Sequence, residues 1–155
     1  MKRNYFILFL ILIFLTGIIL SYYNQSETNN VKSFFEASMY ISKNCNCCIE
    51  YSKYLSSFNI KVKINEVDDV TSLMKSYDIP ETLSSCHIIF IEDYIVIGHV
   101  PIEAINKLLN EKPKIRGISL PGMPNGSPGM GGEKNEEFII YSFDFNGNIR
   151  IFMRI

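Results

Sequence analysis

The chain has 155 residues and a formal net charge of −1, with 47% hydrophobic and 20% charged residues. That length suits one domain with a hydrophobic core and is too short for two ordinary domains plus a membrane segment. When Lys2 and Arg3 are set aside, 13 of the 15 basic residues remain against 16 acidic ones. This acidic balance argues against nucleic acid as a partner.

An apolar run from Tyr5 to Leu20 follows the basic pair at the start of the chain. The run has 16 residues, and 19 if it extends to Tyr23, so both a signal peptide and a membrane anchor fit. No small-residue cleavage site follows, which favours an uncleaved anchor over residues 1–23. Because the basic pair precedes the run, we expect the domain outside the cytoplasm, anchored to the membrane, or secreted if the leader is cleaved.

The four cysteines are unevenly spaced. In an oxidising compartment they would pair by default as two structural disulfides. Three of them, Cys45, Cys47 and Cys48, crowd into four positions, while Cys86 lies far along the chain. Adjacent Cys47 and Cys48 cannot bridge to each other without backbone strain. The spacing therefore argues against two simple structural disulfides.

Hydrophobic periodicity predicts alternating strands and helices after a polar tether over residues 24–33. We expect strands at Phe35–Ile41, Val62–Val67, His87–Ile91 and Tyr94–Ile97, and helices at Cys48–Phe58, Val70–Tyr77 and Pro101–Leu109. This order, with a cysteine motif where the first helix begins, is that of a thioredoxin-like α/β fold. The predicted thioredoxin-like core, a mixed sheet with flanking helices, covers residues 34–112.

Residues 113–155 differ in composition. Glycine and proline dominate Lys114–Glu133 around a repeated Pro-Gly-Met, which predicts a long loop. Phe138–Phe143 and Ile149–Met153 are strand-like, and Asn146-Gly147 between them indicates a tight hairpin turn. We therefore predict a loop and a C-terminal hairpin packed on the core.

The clustered cysteines are the residues best suited to metal binding or redox chemistry. A thiol where a helix begins lies near unpaired N–H groups and the positive end of the helix dipole, which favour its thiolate. In a thioredoxin-like layout the loop before the third strand passes over this point, so Cys86 is expected to join the cluster. Soft thiolates select Cu(I), Zn(II) or iron–sulfur clusters, and the thioethers of Met123 and Met130 narrow this choice toward Cu(I).

Four ordered motifs between Phe35 and Met130 resemble the family of domains of unknown function 411, thioredoxin-like proteins associated with metal and copper handling. The motifs are Cys45-Asn46-Cys47-Cys48, Ser85-Cys86-His87, Gly98-His99-Val100-Pro101, and Arg116-Gly117 leading into Pro121-Gly122-Met123-Pro124-Asn125-Gly126-Ser127-Pro128-Gly129-Met130. The resemblance implies a metal-binding domain without an assigned reaction. Two residues depart from the family pattern: Asn46 replaces a usual Gly, and Tyr51 replaces a frequent Trp.

Each candidate ligand also has a structural interpretation. The clustered cysteines could form one structural disulfide with a spare thiol, and Cys86 could be disulfide-bonded to the cluster. His87 opens a buried strand, where neighbouring side chains point to opposite faces, so we expect Cys86 and His87 not to reach one ion unless the loop is irregular. His99 could cap a strand end, and the two loop methionines could fill packing gaps.

The leading hypothesis is a metal-binding protein that captures, delivers or confers resistance to Cu(I), with zinc as the alternative metal. Cys45, Cys48 and Cys86 are its principal expected ligands, and the second choices are Cys47, His87, His99, Met123 and Met130. Expected partners are the metal ion, the membrane through the N-terminal helix, and a metal-receiving protein, without nucleic acid.

The first rival hypothesis is a thiol–disulfide oxidoreductase in which Cys45 attacks and Cys48 resolves. Cys47 as a competing partner and Cys86 at the position of the thioredoxin cis-proline weigh against it, so we expect a binding protein rather than an enzyme. The second is a structural module with the Pro-Gly-Met loop as its contact surface.

Overall fold

The computed structural model describes residues 13–18 and 34–155. The chain divides into two compact units, Met1–Ser33 and Phe34–Ile155. In the first unit, residues 13–18 are helical. None of the helices in the described residues combines the length and the apolar character needed to span a lipid bilayer. Most of the predicted anchor and all of the predicted tether fall on residues outside the described ranges.

The second unit alternates strands and helices, as the periodicity predicts. The strands are β1 (Phe35–Ser42), β2 (Ile60–Val67), β3 (His87–Ile91), β4 (Tyr94–Ile97), β5 (Gly117–Ser119), β6 (Ile139–Phe143) and β7 (Ile149–Arg154). The helices are α1 (Asn46–Ser57), α2 (Val70–Ser76) and α3 (Ile102–Glu111), with a short 3-10 helix at Glu81–Leu83. The predicted α/β class is confirmed.

All seven strands of the described residues form one mixed sheet in the order β2-β1-β3-β4-β5-β6-β7. β1 pairs with β2 in parallel, β4 pairs with β5 in parallel, and the remaining neighbours are antiparallel. The central strands are covered on both faces, which explains why β3 and β4 read as nearly continuous apolar runs.

Strand β5 corrects the predicted long loop at Lys114–Glu133. Gly117, Ile118 and Ser119 are all buried and pair with β4 on one side and β6 on the other. A side chain on Gly117 would collide with the backbone of Ile95, so the close strand pairing requires glycine there. A three-residue strand that contains glycine and serine has no periodic hydrophobic pattern, which is why the sequence does not show it.

The predicted C-terminal hairpin forms, and it extends the sheet through β5. Five residues, Asp144–Asn148, connect β6 to β7. Asp144 closes this connection by accepting hydrogen bonds from the backbone N–H groups of Asn146 and Asn148, and Gly147 takes a positive φ of 80°. The turn is therefore longer than a two-residue hairpin, because the Asp144 side chain stabilises a wider loop.

Helix boundaries follow from local chemistry. Asp69 caps α2 by accepting hydrogen bonds from the N–H groups of Thr71 and Ser72. Its neighbour Asp68 pairs instead with Lys43 at 2.7 Å on the surface. Asn59 follows α1 and adopts a left-handed backbone conformation at φ 63°, which redirects the chain from the helix toward β2.

Two hydrophobic clusters cover the two faces of the sheet. Successive residues of a strand belong to different clusters, because their side chains point to opposite faces of the sheet. Ile89 of β3 belongs to the cluster that includes α1 and α3, whereas Ile88 belongs to the cluster that includes α2. Tyr51 of α1 is fully buried in the first cluster, and its hydroxyl donates a 2.6 Å hydrogen bond to the carbonyl oxygen of Val100. This bond ties α1 to the connection between β4 and α3.

Replacing Tyr51 with phenylalanine is expected to lower the free energy of unfolding by about 1–3 kcal/mol, because the buried carbonyl of Val100 loses its donor. Denaturant unfolding followed by circular dichroism measures the change. Tyr77→Phe is the matched control, since Tyr77 is 37% exposed. Equal stabilities of the two variants would show that the Tyr51 bond contributes nothing.

Candidate metal centre

Cys45, Cys47 and Cys48 lie where β1 leads into α1, in a segment that we call the cysteine turn. β1 ends at Ser42, Asn44 takes a positive φ of 63°, and Cys45 occupies the N-cap position without a side-chain capping bond. The carbonyl of Cys45 accepts the first helical hydrogen bonds, from the N–H groups of Cys48 and Ile49. The cluster therefore lies at the positive end of the α1 dipole, as predicted.

Cys45 and Cys48 form a disulfide, with their Cα atoms 5.3 Å apart. Cys47 and Cys86 are free thiols, so Cys86 is not disulfide-bonded to the cluster. The Cys47 sulfur lies 3.5 Å from the sulfur of Cys45. All four sulfurs lie within 4.8 Å of one another, so the structure brings the distant thiol to the cluster.

Cys86 precedes β3 in the loop after the 3-10 helix. Its carbonyl oxygen lies 3.8 Å from the Cys48 sulfur, which is a contact and not a hydrogen bond while Cys48 is in the disulfide. Burial first, and then the nearby Cys47 thiol, raise the pKa of Cys86 to about 12. The Cys86 sulfur is therefore a protonated thiol at neutral pH until a cation displaces its proton.

Two imidazole nitrogens flank the Cys86 sulfur. Nδ1 of His87 and Nε2 of His99 each lie 3.3 Å from it. The ligand atoms of these three residues form a second possible metal-binding group, which shares Cys86 with the thiol cluster. The exception allowed for Cys86 and His87 applies, because Cys86 lies in the loop just before β3 and is not bound by the alternation of a strand.

The tautomer of His99 follows from its other contact. Nδ1 lies 2.6 Å from the carbonyl oxygen of Pro128, which can only accept, so Nδ1 carries the proton. The Nε2 lone pair of a neutral ring therefore faces Cys86. Burial also lowers the pKa of His99, which favours this neutral form. His99 is thus an oriented candidate ligand, held by Pro128.

His87 is completely buried beneath the site. Burial and then the neighbouring His99 lower its pKa to about 3, so the ring is neutral. Its Nε2 has no hydrogen-bond partner among the described residues. The ring packs against Tyr51, whose ring centroid lies 5.0 Å from those of both His87 and His99.

The second half of the Pro-Gly-Met loop closes over the start of α1. A Cβ on Gly129 would lie 2.6 Å from the backbone nitrogen of Tyr51, and Gly129 has a positive φ of 75°. Only glycine allows this approach, which in turn places the Pro128 carbonyl against His99. Met130 is half-buried next to this contact, whereas Met123 is 38% exposed at φ 46°.

Sequence reasoning missed two contributors to the site. In the sequence, Tyr51 is noted only because it departs from a family pattern. Pro128 contributes its backbone carbonyl, and the identity of its side chain does not predict that contact. The available signals were the position of Tyr51 on the buried stripe of α1 and the repeat of Pro-Gly before each methionine. Neither signal identifies the contacts that Tyr51 and Pro128 make with His99, which lies 29 residues before Pro128 in the chain.

The donor set fits a soft metal ion. Two thiols, a reducible disulfide and an imidazole lone pair converge on one region, and such ligands favour Cu(I) or Zn(II) over hard cations. A hydrogen bond on the far nitrogen of a ligating histidine, such as that from His99 to Pro128, is the usual outer-sphere support of a metal site.

Comparisons with known proteins agree with this geometry. Two solved structures, named copper resistance protein CopG form 2 and form 1, are similar to this chain with 28% sequence identity over 79% of its length. Their TM-scores are 0.74 and 0.73, and the match covers 99% and 98% of those chains. A comparison with curated protein sequences finds no significant match.

The model of the family described as protein of unknown function, DUF411, matches residues 83–130. This segment contains Cys86, His87, His99, Met123 and Met130, while the cysteine turn at the start of α1 lies outside it. The resemblance drawn from the sequence motifs is thus confirmed over residues 83–130, which match the DUF411 family model.

Proposed function

We propose that this protein binds Cu(I) outside the cytoplasmic membrane, for capture, delivery or resistance, through the thiolates of Cys45, Cys47, Cys48 and Cys86. One observation carries the proposal: the four sulfurs lie within 4.8 Å of one another. His99 adds an imidazole nitrogen 3.3 Å from the Cys86 sulfur. Metal binding to the thiols of Cys45 and Cys48 requires that their disulfide first be reduced.

The comparisons favour copper over zinc. The similar solved structures are named as copper resistance proteins. A site of clustered thiolates with one imidazole also suits the soft Cu(I) ion. Zinc accepts the same ligands and remains the competing metal. His87, Met123 and Met130 are secondary ligand candidates, since each lies on an element that borders the site.

The proposal also covers the domain organisation of the protein and its location. We propose that residues 34–112 form a thioredoxin-like core, that residues 113–155 complete it, and that residues 1–23 anchor it to the membrane through the apolar run. The tether of residues 24–33 then presents the domain on the outer face. A protein that receives the metal there is the expected partner.

Replacing Cys45 and Cys48 together with serine is expected to weaken Cu(I) binding by at least about 100-fold, since loss of outer-sphere partners alone costs about 10–100-fold. The full chain, reduced and kept anaerobic, is titrated with Cu(I) against a competing chelator. Ser84→Ala, in the loop beside Cys86, is the control and should bind as the unaltered protein does. Unchanged affinity of the double variant would refute the proposed ligand set.

Cu(I) affinity is expected to rise with pH, because the raised pKa of Cys86 keeps its proton in place until the metal displaces it. At pH values below the thiol pKa, each thiol proton that the metal displaces makes the Cu(I) affinity rise about tenfold per pH unit. Calorimetric titrations at neutral pH in two buffers of different ionisation enthalpy count the protons. Cys86→Ser should release about one proton fewer per metal ion, and an unchanged count would exclude Cys86 as a ligand.

Replacing Gly129 with alanine is expected to lower Cu(I) affinity by about 10–100-fold, because the Cβ would collide with Tyr51 and move the Pro128 carbonyl from His99. Gly131→Ala is a matched control, since a Cβ there meets nothing within 4 Å. The same chelator competition measures both, with circular dichroism to verify folding. Equal affinities would show that the loop does not position the site.

A second candidate function is thiol–disulfide oxidoreductase activity through Cys45 and Cys48. The disulfide at the start of α1 favours it, since a helix N-terminus stabilises the thiolate that leaves on reduction. An insulin-reduction assay on the full chain separates the two functions. Turnover that depends on Cys45 and persists in metal-free protein would favour the enzyme over the binding protein.

A further inference from the structure

The disulfide of the cysteine turn has a free thiol beside it. The sulfur of Cys47 lies 3.5 Å from that of Cys45, and Cys47 is half-exposed while Cys48 is fully buried. Thiol–disulfide exchange proceeds by attack of a thiolate on a disulfide sulfur, and Cys47 is at contact distance from one such sulfur.

We propose that the cysteine turn exchanges its disulfide internally between Cys45–Cys48 and Cys45–Cys47. The thiolate of Cys47 attacks the sulfur of Cys45, so that a Cys45–Cys47 bond forms and the Cys45–Cys48 bond breaks. Cys48 leaves as a thiolate and takes up the proton that Cys47 lost. One disulfide and two free thiols exist before and after the step, so no external oxidant or reductant takes part.

Geometry selects Cys45 as the sulfur that is attacked. Attack on Cys48 would join adjacent residues, whose Cα atoms are about 3.8 Å apart, closer than the roughly 4.4–6.8 Å that disulfides usually span. Cys45 and Cys47 are separated by one residue and their sulfurs are already in contact. Cys86 is placed differently, because its sulfur faces the two imidazoles and its carbonyl faces Cys48.

The exchange moves the free thiol inward. In the isomer with the Cys45–Cys47 bond, the free thiols are Cys48 and Cys86, and Cys48 already contacts the Cys86 backbone at 3.8 Å. Oxidised protein would therefore keep two thiols and the His99 imidazole together in the buried part of the site. This consequence rests on the proposed metal binding, whereas the exchange itself takes place without metal.

Differential thiol tagging of the metal-free, oxidised full chain tests the exchange. The protein is kept anaerobic, quenched in acid and denatured, and its free thiols are tagged with one maleimide; after reduction, the remaining thiols are tagged with a maleimide of different mass. Cleavage after Lys43 and Lys53 gives one peptide, Asn44–Lys53, that holds all three cysteines of the turn. Fragment spectra then locate each tag.

The first tag is expected on Cys47 in some molecules and on Cys48 in others, with Cys45 always carrying the second tag. Cys47→Ser should reduce first-tagged Cys48 to background, and Cys86→Ser should leave the two populations as they are. Absence of the first tag from Cys48 in the unaltered chain would overturn the proposal, as would its loss in Cys86→Ser. The tagging uses no metal, so these results are independent of whether Cu(I) binds.

Discussion

The hydroxyl of Tyr51 donates a 2.6 Å hydrogen bond to the carbonyl of Val100, and the arrangement of the site depends on this contact. α1 begins at the cysteine turn, and His99 immediately precedes Val100. The bond therefore links the helix that begins at the thiols to the segment that carries the imidazole. The Tyr51 ring lies 5.0 Å from the rings of both histidines, so the same side chain also packs the floor of the site. Burial raises the pKa of Tyr51 well above its ordinary value, which keeps its hydroxyl a donor.

The Pro-Gly-Met loop completes this arrangement from the opposite side. Gly129 contacts the backbone of Tyr51, and the carbonyl oxygen of Pro128 accepts a hydrogen bond from the Nδ1–H of His99. Helix, histidine and loop are thus linked through two backbone carbonyls, those of Val100 and Pro128. Backbone groups are suitable for this role because their positions are set by the fold and do not depend on a rotamer. The resulting site directs one nitrogen lone pair at one sulfur.

The burial of this site has a chemical consequence. A partly buried thiol and two neutral histidines carry little charge in the metal-free protein, since burial raises the pKa of Cys86 and lowers those of His87 and His99. A cation that binds there exchanges a thiol proton for the metal, so the buried region is not left with an uncompensated negative charge. Cys45, Cys47 and Cys86 are each partly exposed, whereas Cys48 is buried, so an incoming ion or a partner thiol would first meet one of the three exposed sulfurs.

The sequence by itself determined the α/β class, the extent of most strands and helices, the position of the cysteine turn at the start of α1, and the family resemblance. These features depend on local patterns: apolar periodicity, helix caps and the order of four short motifs. The tertiary structure alone decided which cysteines are bridged, that Cys86 shares its sulfur between thiols and imidazoles, and that Pro128 sets the tautomer of His99. It also decided that Gly117–Ser119 is a strand, since that strand exists only because its neighbours pair with it on both sides. Contacts between residues far apart in the chain have no local signature, because they depend on how the elements pack and not on the preference of any one segment.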